Sequence, residues 1–339
     1  MWVAHGKLID ADMFSLRDNS FLSSTLASVF QVITSSIGKL LTASLLLTEP
    51  EEESHLLDEL VTLAKTVLAK SKSPSSNTPM LTFVEKVVDQ HGAERNDTIH
   101  IMIKDLILVA YEAILSVAKA DGCEVPQHIA ATIFKTLSSC AKKCPLLLLT
   151  IAREGKEPGE VIHSCIEASP QTLKSNEPDA ITTTVSFLAM LISALKSISL
   201  ESLDDGQKQV IVPVMDYINR SFRGEILISL VTSSCCGILP LDAVADFASL
   251  IQQILFPSQW HDVEASVTAA FVTNQILLGD EVKTVAIATF KRCTTSEYPT
   301  SAFADMITDM WCMHQTDDTG AIASGEAVLQ FVKKFSNER

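Results

Sequence analysis

Apolar residues recur along this chain at helical spacing. In "SLVTSSCCGILPLDAVADFASLIQQIL" (Ser229–Leu255), Val244, Phe247, Ile251 and Ile254 are spaced three, four and three residues apart. That spacing puts them on one face of a helix. Asp242 stands where a capping residue is expected, and Pro240 stops the run before it. Nearer the C-terminus, Phe303, Ile307, Met310 and Trp311 line a second face, with Asp305 and Asp309 one turn apart on the other side. "IHIMIKDLILVAYEAILSVAKA" (Ile99–Ala120) is apolar around most of its circumference, which predicts cover on both sides. "QVIVPVM" (Gln209–Met215) is β-branched, but Pro213 and the periodic residues after it predict a kinked helix. No alternating strand with a hairpin turn is present. The expected fold class is therefore all-α.

Breakers punctuate the helical stretches. They include "SKSPSSNTP" (Ser71–Pro79), "DGCEVP" (Asp121–Pro126), "REGKEPG" (Arg153–Gly159), "ESLDDG" (Glu201–Gly206), "LPLD" (Leu239–Asp242) and "DDTG" (Asp317–Gly320). Paired, the stretches between them make roughly six helical hairpins at a period of about 45 residues, which is the period of HEAT and armadillo repeats. The expectation is a HEAT/armadillo-like α-solenoid, in which each hairpin buries a face against each neighbour and the stack presents a curved surface. Residues 1–55 read as N-terminal helices of that solenoid and residues 56–339 as its repeats, without a sharp boundary.

Composition sharpens this picture. Hydrophobic residues make up 47% of the 339, so there is enough apolar material for a large folded body. Glycine and proline number only 12 each, which disfavours many tight β-turns. The net charge of −15 disfavours nucleic acid and anionic membranes and favours basic partners. The charge is uneven: Gly224–Val332 holds thirteen acids against three bases, Lys283, Lys291 and Arg292.

Chemistry-bearing patterns are sparse. The eight cysteines, with no secretory leader at the start, read as reduced intracellular thiols. There is no CxxC, and His163 with Cys165 is an isolated close pair, so no metal is expected. Phe21–Leu47 carries only Lys39 as a charge and is long enough to cross a bilayer. Its nine Ser and Thr residues and Gly38 fit two buried helices equally well, and no membrane partner is expected. Asp317 and Asp318 could suggest a Mg²⁺-dependent all-helical enzyme, but such chemistry needs a second acidic motif on a facing helix, and none is visible. Phosphate-binding loops, zinc-protease motifs and nucleophile elbows are absent from the sequence. Lone histidines, His128, His163 and His261, read as surface or satisfied core residues. The expectation is a non-enzyme without cofactors.

The order of several segments is similar to a known family. "CCGILPLDAVADFASLIQQIL" resembles the C-terminal region of importin-β family transport receptors of the transportin-SR and importin-thirteen type, in which a Cys-rich helix end is followed by Leu-Pro and a Leu-Pro-Asp-Val-Ala-Asp-like helix start. Leu241 to Asp246 fill that place, with the second proline missing. "LLDELVTLAKTVLAK" (Leu56–Lys70), "FVEKVVDQHGAE" (Phe83–Glu94), "IFKTLSSCAKKCPLLLL" (Ile133–Leu149), "TTTVSFLAMLISAL" (Thr182–Leu195), "FADMITDM" (Phe303–Met310) and "AVLQFVKKF" (Ala327–Phe335) follow in the family's order.

The resemblance implies a nucleocytoplasmic transport receptor, or a fragment of one, that works in cytoplasm and nucleus. It would hold basic protein cargo, Arg/Ser-rich segments included, on an acidic HEAT surface. Asp242, Asp246, Asp305 and Asp309 are the candidate cargo contacts, chosen on charge and expected helix face. Family members are far longer and grip the GTPase Ran through N-terminal repeats, so Ran binding is expected only with such repeats present. The arginine-rich helix of the transportin-SR type has no counterpart in "SFLSSTLASVFQVITSSIG" (Ser20–Gly38), which argues against recognition of phosphorylated Ser-Arg cargo by that route. The alternative is a generic HEAT scaffold or adaptor without a transport role.

Overall fold

The computed structural model describes residues 32, 36–43, 53–70, 74–94, 97–121, 127–175, 177–235, 241–256, 258–272, 279–294, 298–314 and 325–336. Among the described residues the protein is helical, with no strand. The Cys236–Pro240 connection and Asp317–Asp318 lie wholly outside them, and the membrane-length stretch Phe21–Leu47 largely so. The chain forms two compact units, residues 1–147 and 148–339.

The first unit contains α1 (Glu53–Lys70), α2 (Pro74–His91), α3 (Asp97–Asp121) and α4 (Gln127–Lys143). Leu57, Leu60, Val61, Ala64 and Val67 bury one stripe of α1, the spacing that 3.6 residues per turn dictates. The expected loop at Ser71–Pro79 is shorter than its composition suggests. Pro74 is the first residue of α2, where its missing N–H costs nothing. The main packing joins α1 to α3 and α2 to α4. Lys65 donates to Asp105 across the first pair at 2.7 Å, and Lys135 lies 3.4 Å from the buried Glu85 across the second. In α3, Ile103, Leu106, Ile107, Ala110 and Tyr111 are buried, and Ile101, near its start, is 61% exposed. Residues 36–43 are also helical, with Ile37 and Leu41 buried. A Cβ at Gly38 would come within 2.8 Å of Pro79, so this contact with α2 needs glycine.

The short helix α5 (Pro145–Thr150) leads into the second unit. There follow α6 (Glu160–Thr172), α7 (Pro178–Ser197), a 3-10 turn (Leu200–Ser202), α8 (Asp205–Ser221), a π-turn (Phe222–Ile226), α9 (Leu227–Cys235), a second 3-10 turn (Leu241–Ala243), α10 (Val244–Leu255), α11 (Trp260–Val272), α12 (Asp280–Arg292), α13 (Thr300–His314) and α14 (Gly325–Ser336). Asp204 caps α8 with a reciprocal box: its carboxylate accepts from the Gln207 N–H at 2.8 Å, and the Gln207 side chain accepts from the Asp204 N–H at 3.2 Å. Pro213 is inside α8 as expected, but the break in helical dihedrals falls at Gly224, in the π-turn.

Helix α9 is the centre of this unit. Eight of its nine residues are buried, and it packs on α6, α10, α11 and α13. Helix α7 is long and apolar enough to cross a bilayer by length and composition. It is packed against α6 and α10 through residues that include Phe187, Leu188 and Leu191. Around the C-terminal helices the core is aromatic. Phe271, Phe290 and Phe303 meet edge to face, with ring centroids 5.7 and 5.1 Å apart, and tie α11, α12 and α13 together.

Several buried hydroxyls are satisfied inside their own helices, whereas Thr232 Oγ1 in α9 is buried without a hydrogen-bond partner among the described residues. Thr184 donates to Ala180 O at 2.7 Å, Ser169 to Cys165 O at 2.8 Å, Ser234 to Leu230 O at 2.6 Å and Thr289 to Val285 O at 3.0 Å. Each bond meets the demand of a polar group removed from water. Ser233 instead reaches across to Leu173 O, at 2.8 Å.

Candidate functional site

The four candidate aspartates sit on or beside two helices that pack together, α10 and α13. Val244, Phe247, Ile251 and Ile254 are all buried. That orientation turns Asp246 outward, and it is exposed. Asp242 lies in the 3-10 turn before α10 and is exposed as well. It does not make the expected cap: Ala243 precedes the helix, and no side chain caps it. On α13, Phe303, Ile307 and Met310 are buried and Asp305 is exposed. Asp309 is partly exposed and already holds a cation, accepting a hydrogen bond from Lys334 of α14 at 2.7 Å. Among the described residues, Asp242, Asp246 and Asp305 have no ion-pair partner.

A second feature was not anticipated from the sequence. Two adjoining recesses, with volumes of about 250 and 300 Å³, open beside α10. The first is floored by Phe222 and Ile254 and rimmed by Lys196, Asn219, Arg223 and Gln253. The second holds Gln252, Phe256 and Tyr298, and shares Lys196 and Gln253 with the first. None of the lining residues is acidic, so the candidate aspartates are not part of it. The sequence signal was slight: two adjacent glutamines on a strongly amphipathic helix, and one lysine closing the apolar run of α7.

The buried thiols are poor nucleophiles. The Cys165 and Cys293 thiols are pushed up to about 12, chiefly by burial. Cys140 is raised by its hydrogen bond with Cys144 and by burial. A high thiol pKa leaves little thiolate for nucleophilic attack or metal binding. His163, expected to be on the surface or satisfied in the core, is neither. Its Nε2 is buried without a hydrogen-bond partner, its ring lies 4.1 Å from that of Tyr217, and burial lowers its pKa. Tyr217 donates to Glu167 at 3.0 Å. Among the described residues no three His, Cys, Asp or Glu side chains are gathered as a metal site would require.

No protein-family model matches the chain, and no curated protein matches it. The chemistry open to these surfaces is that of their own groups. The exposed aspartates can accept hydrogen bonds from guanidinium or ammonium donors. The recesses offer amide donors and acceptors beside apolar patches and a lone ammonium.

Proposed function

We propose that the chain is a binding protein of the importin-like kind, a transport receptor or part of one, which holds basic protein segments on an acidic helical surface. Three exposed aspartates without ion-pair partners among the described residues, on or beside two helices that pack together, carry this reading. They lie within a segment in which acids outnumber bases thirteen to three. Arginine forks onto carboxylates with planar, two-point geometry, so a surface of spare carboxylates favours Arg-rich segments.

The packing order supports the finer fold reading, a HEAT-like solenoid. Contacts skip a neighbour in the way stacked hairpins require: α1 meets α3, α2 meets α4, α9 meets α11 and α12 meets α14. The collinear segments described above supply the resemblance to transport receptors of the transportin-SR type. On this reading the chain works in cytoplasm and nucleus, Ran binding calls for further N-terminal repeats, and the protein performs no catalysis and carries no cofactor.

The test is a fluorescence titration with an Arg-Ser-rich peptide, its phosphorylated form and a neutral scramble, at low and physiological salt. The basic peptide should bind saturably and more weakly at the higher salt. The double variant Asp242→Ala, Asp246→Ala should weaken it roughly three- to tenfold, the sum of two partly exposed charge pairs. Binding that ignores charge, or no binding at all, would remove the transport reading and leave a helical scaffold with another task.

A further inference from the structure

The two recesses beside α10 have the opposite polarity to the rest of the C-terminal region. Lys196 stands where they join, is exposed, and forms no ion pair among the described residues. Arg223 is 42% exposed and engages Asp262 only at 3.6 Å, longer than a short charge-assisted bond. Thus a chain with fifteen surplus negative charges keeps a cation unspent at a site lined by no carboxylate.

The neutral groups point to an occupant. Gln253 uses its amide N–H on Ser249 Oγ at 3.3 Å, and Gln252 uses its own on Tyr298 O at 3.3 Å. Both are long bonds between partly buried groups, so either amide can turn to a new partner at little cost. Side-chain amides donate and accept, and so match a peptide backbone. Each recess also has an apolar patch, Phe222 with Ile254 in one and Phe256 with Tyr298 in the other. Phe256, in the second, is 53% exposed.

We propose that this groove binds an acidic peptide segment of a partner protein, one that carries carboxylates between apolar side chains. A carboxylate meets Lys196 at the junction, apolar side chains enter the two recesses, and Gln252, Gln253 and Asn219 engage the peptide backbone. The groove is separate from the aspartate surface of the preceding section, and the two bind segments of opposite charge.

The experiment uses the full chain and a fluorescein-labelled peptide of alternating glutamate and phenylalanine. The same peptide with glutamine, and with lysine, in place of glutamate serves as the comparison, read by anisotropy. Saturable binding of the glutamate peptide is expected, with salt sensitivity and little binding of the glutamine form. Lys196→Glu should reduce affinity about tenfold and Lys196→Gln about threefold. Lys196 is exposed, so both variants should keep the wild-type melting temperature and circular dichroism. Asp242→Ala with Asp246→Ala should leave the glutamate peptide bound as before, which separates this groove from the basic-cargo surface. Equal binding of the glutamate and glutamine peptides, no effect of Lys196→Glu, or no binding of the glutamate peptide would each overturn the proposal.

Discussion

Arg153 and Glu160 show how much one pair can organise. The Arg153 guanidinium forks onto both Glu160 oxygens, and the Arg153 N–H donates to the same carboxylate at 3.1 Å. The pair closes the loop that enters α6, where Gly159 sits at φ 80 with Val214 2.9 Å from where a Cβ would be. No other residue fits that turn without strain. The hydrogen bonds from Arg153 hold the Glu160 carboxyl below its usual range, against the opposing effect of burial. A carboxyl lowered by folding contributes stability above its unfolded pKa, and that stability is lost as pH falls through the folded value. Glu160→Gln should therefore cost about 1–2 kcal/mol at neutral pH, since the pair is charge-assisted and mostly buried. The cost should shrink once pH falls below about 4, the ordinary carboxyl range. Urea midpoints of both proteins across pH would check this, and a difference independent of pH would refute it.

At the scale of helices, the edge-to-face contacts of Phe290 join three elements. Phe290→Ala should cost about 3–5 kcal/mol, the usual range for an aromatic deleted from a packed core. Phe290→Leu should cost clearly less, as read by chemical denaturation. Much of this level was legible in the sequence. The buried face of α10 follows from residue spacing alone, as does that of α13 apart from Trp311, which is only partly buried, and α8 is helical despite its β-branched run. The misses have tertiary causes. The departure from helical dihedrals at Gly224 had no proline to announce it, unlike Pro213 inside α8. Ile101 looked like a core residue because spacing records how apolar a helix is, not how many neighbours reach it. The recesses were invisible because α7, the π-turn and α10 meet only after some sixty intervening residues have folded between Lys196 and Ser258. The four aspartates could be placed on helix faces, but the Lys334 partner of Asp309 could not be foreseen.

At the scale of the whole molecule, the chain is two units, each with its own buried aromatics: Phe83 and Phe134 in residues 1–147, Phe187 and Phe247 among others in residues 148–339. Thermal unfolding should then proceed in two steps, because a cooperative transition belongs to a shared core. Phe83→Ala should lower only one of them and Phe247→Ala only the other. A single transition shifted equally by both would show that the units unfold together. The in-helix bonds of the buried serines and threonines have a consequence on another timescale. A hydroxyl tied to its own backbone one turn back owes nothing to a neighbouring helix. Exchange of such a residue for alanine or valine, or the reverse, leaves no orphaned partner elsewhere. Thr184, Ser169 and Ser234 are all of this kind. Interior positions of this sort drift freely between polar and apolar letters, so a lineage built on them sheds recognisable sequence faster than it sheds its packing.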